Sequence, residues 1–334
     1  MAALTLHERI ATFIERGEGD VELLALEAYA AQCAASPLLA ALCAPTHPNY
    51  IDEIPALPVA LFKELDLGPA PALPGDVVFR TSGTTGQTRG VRRCRNTRLY
   101  DLGAVRHIDR CISHRPTQIL SLCPTDLDSS LAHMLRAFGS VVPAFTAAGV
   151  DAGAWKLLAG LAATGPVFVA ATAFALDGML SMPGTISLTD DSLIMVTGGF
   201  KGRDTRLDAP EMYRILGGRF GAPRVVGQYG MTELSSQLWT SPVSAGQLPG
   251  AFVAPPWLKV RAADPHSGRP VDGPGVLRFV DLANLGGVVA IETQDLGVVE
   301  SRAEGDHVTL LGRLAGAELR GCSLRAEAAR ARLQ

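Results

Sequence analysis

The sequence predicts an α/β protein: a mostly parallel central sheet covered by helices on both faces, with a helical preface before it and a smaller β-rich lobe after it. Three observations predict this. From residue 75 onward, short and almost unbroken apolar runs alternate with longer segments of helical periodicity, as parallel strands buried on both faces require. Residues 1–74 carry first helical periodicity and then a Pro-punctuated stretch. Beyond Gly250 the texture changes to short strands broken by Gly and Pro. The expected division is therefore 1–74, 75–249 and 250–334.

Leu6 to Cys43 reads as helix, with Glu22 to Tyr29 placing apolar residues on one side and Pro45 ending the run. The segment from Pro45 to Pro74, with Ile54-Pro55, Leu57-Pro58 and Phe62-Lys63, is too apolar for a solvated linker and is expected to pack on the main lobe. Strands are expected at Val77–Phe79, Gln118–Cys123, Pro166–Thr172, Ser192–Gly198 and Arg224–Tyr229. In the last lobe they fall at Trp257–Arg261, Val276–Val280, Val288–Glu292 and Val308–Leu311. Leu157 to Leu176 is uncharged and long enough to span a bilayer, but Gly165-Pro166 interrupts it and Val167, Phe168 and Val169 favour a strand. It reads as a buried helix followed by a core strand, with no membrane span.

Composition narrows the function classes. A chain of 334 residues that is 47% hydrophobic and 19% charged can bury a large core and is not disordered. With 30 Lys+Arg against 33 Asp+Glu its formal charge is -3, which gives no electrostatic case for nucleic acid or an anionic membrane. The six cysteines, at 33, 43, 94, 111, 123 and 322, form no C-x-x-C pair and no metal-ligand spacing. No signal peptide is visible, so a reducing, cytoplasmic location is expected.

Two loops carry chemistry. Thr81-Ser82-Gly83-Thr84-Thr85-Gly86, with Arg89 three residues on, follows an expected strand. Glycines there let backbone N–H groups approach phosphate oxygens, hydroxyls add hydrogen bonds and Arg89 adds charge, although the Walker pattern G-x-x-x-x-G-K-[ST] is absent. The second loop is Gln228-Tyr229-Gly230-Met231-Thr232-Glu233, in which Tyr229 offers a flat face to a base and Thr232 and Glu233 offer oxygens to a hard cation such as Mg²⁺. Lysine occurs only at positions 63, 156, 201 and 259. Lys201, beside Gly198-Gly199-Phe200, is the first candidate for a cation meeting charge on a reacting phosphate, and Lys63 is the second. His133 reads as a satisfied interfacial side chain, and Asp190-Asp191 as a solvated turn.

Together these loops resemble the phosphate-loop and Tyr-Gly-x-Thr-Glu motifs of acyl-adenylate-forming enzymes. In the same order, Thr293-Gln294-Asp295-Leu296-Gly297 is similar to the segment whose Asp binds ribose, and Leu311-Gly312-Arg313 resembles the Gly-Arg motif whose Arg also reaches ribose. Gly198-Gly199-Phe200 stands where that family lines the adenine pocket. The resemblance implies the family's N-terminal-type core, with ATP and Mg²⁺ as cofactors, and implies that the mobile C-terminal lysine domain is absent. Two departures are plain: Arg89 stands where many relatives have Lys, and Leu314-Ala315 follows Arg313 in place of an acidic partner.

Within the superfamily, the helical preface, Ile54-Pro55-x-Leu57-Pro58-x-x-x-Phe62-Lys63 and the ending Arg320-Gly321-Cys322-Ser323-Leu324 resemble the LuxE-like acyl-protein synthetases of bacterial luminescence. That resemblance implies activation of a fatty or other carboxylic acid, acyl transfer to Cys322 and delivery to a partner such as an acyl reductase or carrier protein. A thiolate attacking a mixed anhydride conserves its energy as a thioester, and Arg320 would favour the thiolate. Two alternatives stay open: a coenzyme A or carrier-protein ligase of the phenylacetate–CoA ligase type, and a catalytically silent nucleotide-binding subunit.

Overall fold

The computed structural model of the chain describes residues 4–43, 46–81, 88–112, 117–140, 144–147, 149–198 and 207–314. The expected helical run is three helices: α1 (Leu6–Arg16), α2 (Val21–Ala35) and α3 (Pro37–Cys43). Polar caps divide it. Thr5 and Glu8 form a reciprocal capping box at the start of α1, and Asp20 accepts from the N–H groups of Glu22 and Leu23 at the start of α2.

Next come β1 (Leu57–Pro58), with short 3₁₀ turns at Ile51–Glu53 and Val59–Lys63 around it, and then β2 (Val77–Arg80) and β3 (Val91–Cys94). β2 and β3 pair antiparallel as a separate two-stranded sheet, so the strand expected at Val77–Phe79 exists but lies outside the central sheet. The core alternates α4 (Arg98–Cys111), β4 (Gln118–Ser121), α5 (Ser130–Gly139), β5 (Ala144–Thr146), α6 (Ala152–Ala162), β6 (Val167–Thr172), α7 (Ala173–Leu180), β7 (Leu193–Thr197), α8 (Ala209–Phe220) and β8 (Arg224–Tyr229). The remainder is all β apart from a 3₁₀ turn at Leu282–Asn284: β9 (Leu238–Thr240), β10 (Val243–Ser244), β11 (Phe252–Val253), β12 (Leu258–Ala263), β13 (Gly275–Asp281), β14 (Ala290–Arg302) and β15 (Gly305–Arg313). Among the described residues no helix is long and apolar enough to cross a membrane, and 157–176 is the end of α6, then β6, then the start of α7.

One large sheet runs β12-β13-β14-β15-β11-β9-β8-β7-β6-β4-β5, with β1 added beside β14 and β10 beside β8. The strands from β5 to β8 are parallel, and from β8 to β12 the pairing is antiparallel. In the parallel part, successive residues of one strand feed opposite cores, as the period of two demands. Val167, Val169 and Ala171 of β6 face a cluster with α6, α7 and α8, while Phe168 and Ala170 face a second cluster with α4 and α5. The antiparallel part shares a third core with the preface, in which Ile10, Phe13, Leu24 and Ala25 meet Leu277, Phe279 and Ile291. The preface helices therefore pack on the antiparallel part of the sheet.

Candidate active site

In an open α/β sheet, ligands gather at the carboxyl ends of parallel strands, where loops diverge. β7 ends at Thr197, and Gly198, at φ 79, turns the chain away in a conformation that side chains rarely adopt. β8 ends at Tyr229. A Cβ on its neighbour Gly230 would stand 2.7 Å from Gln228 Nε2, so any larger residue there would push the Gln228 side chain aside. Gln228 is itself buried and hydrogen-bonded to the Thr197 hydroxyl, which ties the ends of β7 and β8 together.

Tyr229 faces across to the antiparallel strands. Its hydroxyl donates to Asp295 Oδ2 at 2.8 Å, while Arg313 Nε donates to Asp295 Oδ1 at 2.9 Å. Asp295 and Arg313 are direct partners in the β14–β15 ladder, placed so by a register shift between Leu296 and Gly297. Burial, reinforced by the Asp295 carboxylate, pushes the Tyr229 phenol well above its ordinary value of 10.0, so it stays a proton donor. Phe279 stacks on its ring at 6.0 Å and Phe252 meets it edge-on at 6.1 Å, which leaves at most one face for a base. A carboxylate has about four lone-pair positions, so Asp295 retains acceptors for a pair of hydroxyls after serving both neighbours.

Glu233 is 6% exposed, and burial raises its carboxyl above the ordinary value of 4.5, against the pull of Arg92, Arg313 and Lys63. Its loop is held by buried side chains that the motifs did not reveal. Arg92, on β3, donates to the carbonyls of Thr232 (3.3 Å) and Leu234 (2.9 Å) and to Ser235 Oγ. Asn284 Nδ2 donates to the carbonyl of Glu233 at 2.8 Å, and Asn284 Oδ1 accepts from Arg92 Nη2 at 2.7 Å. Asp281 accepts from the N–H groups of Ser235 and Ser236 at 2.8 and 2.9 Å. Arg92 escapes notice in Val91-Arg92-Arg93-Cys94-Arg95 because a basic run reads as a solvated turn; its only signal is its inward place in the strand alternation.

Thr81 and Gly90 close the neck of the first loop, with Gly90 N donating to Thr81 Oγ1 at 2.8 Å. Arg89 braces that neck, donating from Nε to the Thr81 carbonyl at 2.6 Å and pairing with Asp128 at 3.3 Å. Its guanidinium is thus engaged by the protein, whereas the sequence suggests it faces phosphate. Ser82, Gly83, Thr84, Thr85, Gly86, Gly199, Phe200, Lys201 and Cys322 lie outside the described residues. Lys63 is exposed at the end of its 3₁₀ turn, and its charge reaches Glu233. His133 bonds Asp101 at 2.6 Å and stands edge-on to Phe79 and Tyr100, the interfacial role expected of it.

The described residues contain no group of three or more His, Cys, Asp or Glu side chains able to hold a metal. A cation beside Glu233 would take one protein carboxylate and complete its shell with phosphate and water oxygens. That donor set fits Mg²⁺, which commonly binds with one or two carboxylates and substrate phosphates.

No protein-family model and no curated protein matches the sequence. Solved structures do. The chain is similar to 2-hydroxyisobutyryl-CoA ligase in the postadenylation state in complex with R3-HIB-AMP, at TM-score 0.65 and 13% identity over 88% of this chain and 68% of that one. It is also similar to ATP-bound MatB from Rhodopseudomonas palustris, at TM-score 0.51 and 18% identity over 71% of this chain. A third likeness is to the anthranilate CoA ligase AuaEII in complex with anthranoyl-AMP, at TM-score 0.52 and 14% identity over 71% of this chain. The chain spans 47% of the length of MatB and 46% of AuaEII. At these identities the likeness is one of fold: the chain has the fold of adenylate-forming enzymes.

Proposed function

We propose that the protein activates a carboxylic acid, a fatty acid first among the candidates, with ATP and Mg²⁺ and then passes the acyl group to a thiol. The observation that carries this reading is the Tyr229–Asp295–Arg313 cluster, with Glu233 close enough for its charge to act on Tyr229 and for that of Arg313 to act on it. An oxygen of the acid's carboxylate attacks the α-phosphorus of ATP, the bond to the bridging oxygen breaks, and pyrophosphate leaves acyl-AMP behind. The thiolate then adds to the acyl carbon and AMP departs, forming a thioester, with the thiol proton released to solvent.

The chain's own residues divide this work. Asp295, oriented by Tyr229 and Arg313, accepts from the ribose hydroxyls, and Tyr229 borders the base with Gly198 and Gly199. The loop from Thr81 through Ser82, Gly83, Thr84, Thr85 and Gly86 cradles the outer phosphates. Glu233 and Thr232 would hold the Mg²⁺, which when bound would offset charge on the phosphates. Lys201 or Lys63 meets the charge developing at the α-phosphate.

Acid-dependent ATP–pyrophosphate exchange over a panel of fatty and aryl acids tests the first step, with Glu233→Gln lowering exchange about a hundredfold or more. ATP binding without exchange, for any acid, would favour a silent nucleotide-binding subunit. For the second step we favour Cys322 as acceptor, with an acyl reductase or carrier protein as onward partner. An ATP-dependent acyl mass increment on the intact protein, lost in Cys322→Ala, is the expected result. The coenzyme A reading draws support from the ligases of similar fold, and exchange without a protein adduct would move the assignment there.

A further inference from the structure

We infer that the helical preface belongs to the active-site machinery, with Gln32 of α2 acting as a positioning residue that fixes the backbone of Glu233 through Asn284. The inference rests on the proposed role of Glu233 as the Mg²⁺ residue. Gln32 is 8% exposed, and its whole carboxamide is spent on the segment 284–289. Its Nε2 donates among the carbonyls of Asn284 (3.1 Å), Leu285 (3.2 Å) and Gly287 (2.5 Å), and its Oε1 accepts from Val289 N at 2.9 Å.

That segment carries the second amide in series. Asn284 Nδ2 donates to the carbonyl of Glu233 at 2.8 Å and to that of Val288 at 2.6 Å, while Oδ1 accepts from Arg92 and from Ser235 Oγ at 3.2 Å. Only an amide offers donors and an acceptor in one rigid plane; a carboxylate would face three carbonyls, and an apolar side chain would remove their side-chain donor, leaving the Asn284 carbonyl with its bond from Gly287 N alone. Outer-shell groups that orient a metal ligand change metal affinity about 10–100-fold when removed. Gln32 stands one step further out, so an effect near the lower bound is expected.

The test measures ATP binding by the full chain as a function of Mg²⁺, and AMP binding without metal, for wild type, Gln32→Met and Leu24→Ala. Leu24, on the same helix and 2% exposed, is a packing control with no hydrogen bond to the 284–289 segment. Gln32→Met is expected to raise the Mg²⁺ concentration for half-maximal ATP binding about tenfold while leaving AMP binding within about twofold. Leu24→Ala is expected to lower the melting temperature and leave the Mg²⁺ dependence in place. Should Gln32→Met fail to fold, Gln32→Glu, which keeps the shape and the acceptor for Val289 N, is expected to shift the same way. An unchanged Mg²⁺ midpoint in the folded Gln32 variant, or an equal shift in Leu24→Ala, overturns the inference. Wild-type ATP binding indifferent to Mg²⁺ removes the reading of Glu233 itself.

Discussion

The two halves of the large sheet bury themselves in different ways. In the parallel half the inner strands β6 and β7 are apolar on both sides: β7 alternates Leu193 and Met195 toward α4 and α5 with Ile194 and Val196 toward α6 to α8. In the antiparallel half burial alternates along the strand, as in β12, where Leu258 and Val260 are buried and Lys259 and Arg261 are partly open. Its apolar side is covered by the preface. The parallel half is thus clad by its own crossover helices, while the antiparallel half depends on helices from the far end of the chain. Tyr229 comes from one half, Asp295 and Arg313 from the other, so the candidate site stands on the seam and feels both kinds of packing.

Truncating a core side chain in each half separates stability from binding most sharply. Phe279→Ala, 0% exposed in the antiparallel half, is expected to cost about 3–5 kcal/mol. It should also weaken AMP binding about tenfold, because Tyr229 loses its stacking partner. Leu158→Ala, 1% exposed beneath the parallel half, is expected to cost about 3 kcal/mol and leave AMP affinity unchanged. Denaturant unfolding beside calorimetric titration reads both, and equal loss of affinity in the two variants would erase the distinction between the halves.

Arg92→Met comes next, at about 3 kcal/mol, since it strands the carbonyls of Thr232 and Leu234 inside the protein. Unlike Leu158→Ala, it should also weaken Mg²⁺-dependent ATP binding. A smaller effect concerns pH. Burial gives Glu233 a higher proton affinity in the folded chain than in the unfolded one, so its contribution is full below the ordinary carboxylate value of 4.5 and is lost as pH rises through the raised folded value. Glu233→Gln should flatten that part of the stability profile, and a thermal melt series from pH 4 to 7 checks it. Least of all, Arg302→Ala, which removes an exposed pair with Glu300, is expected to change stability by no more than about 0.5 kcal/mol.

What could be read from the sequence follows from how local each signal is. β8 falls at Arg224–Tyr229 as expected because Pro223 and Gly230 bound the run, and Tyr229, Asp295 and Arg313, each singled out by its motif, meet in one hydrogen-bonded cluster. β3, β5, β9, β10 and β11 escaped the reading, being two to four residues long and, in β3, half arginine. β14 reaches Arg302, well past the expected Glu292, since its pairing with β15 from Asp295 onward carries it beyond the polar Thr293-Gln294. Arg92, Asp281, Asn284 and Gln32 had no motif to announce them. Each is a buried polar side chain whose partners are brought to it by tertiary packing, and a linear pattern encodes neither the burial nor the partner.

The irregular pairing at Leu296 and Gly297 reaches further than local geometry. Counted along the regular ladder from Gly297 opposite Leu310, Asp295 would sit across from Gly312. The extra residue, Leu311, carries Arg313 into that place. The irregularity at one surface position is therefore a determinant of chemistry: with Leu311 kept and the ladder made regular, Gly312 would answer Asp295, whereas losing Leu311 together with the bulge would leave Arg313 in its place. A designer grafting the pair onto another scaffold must therefore carry Leu311 and the bulge together, or leave both out.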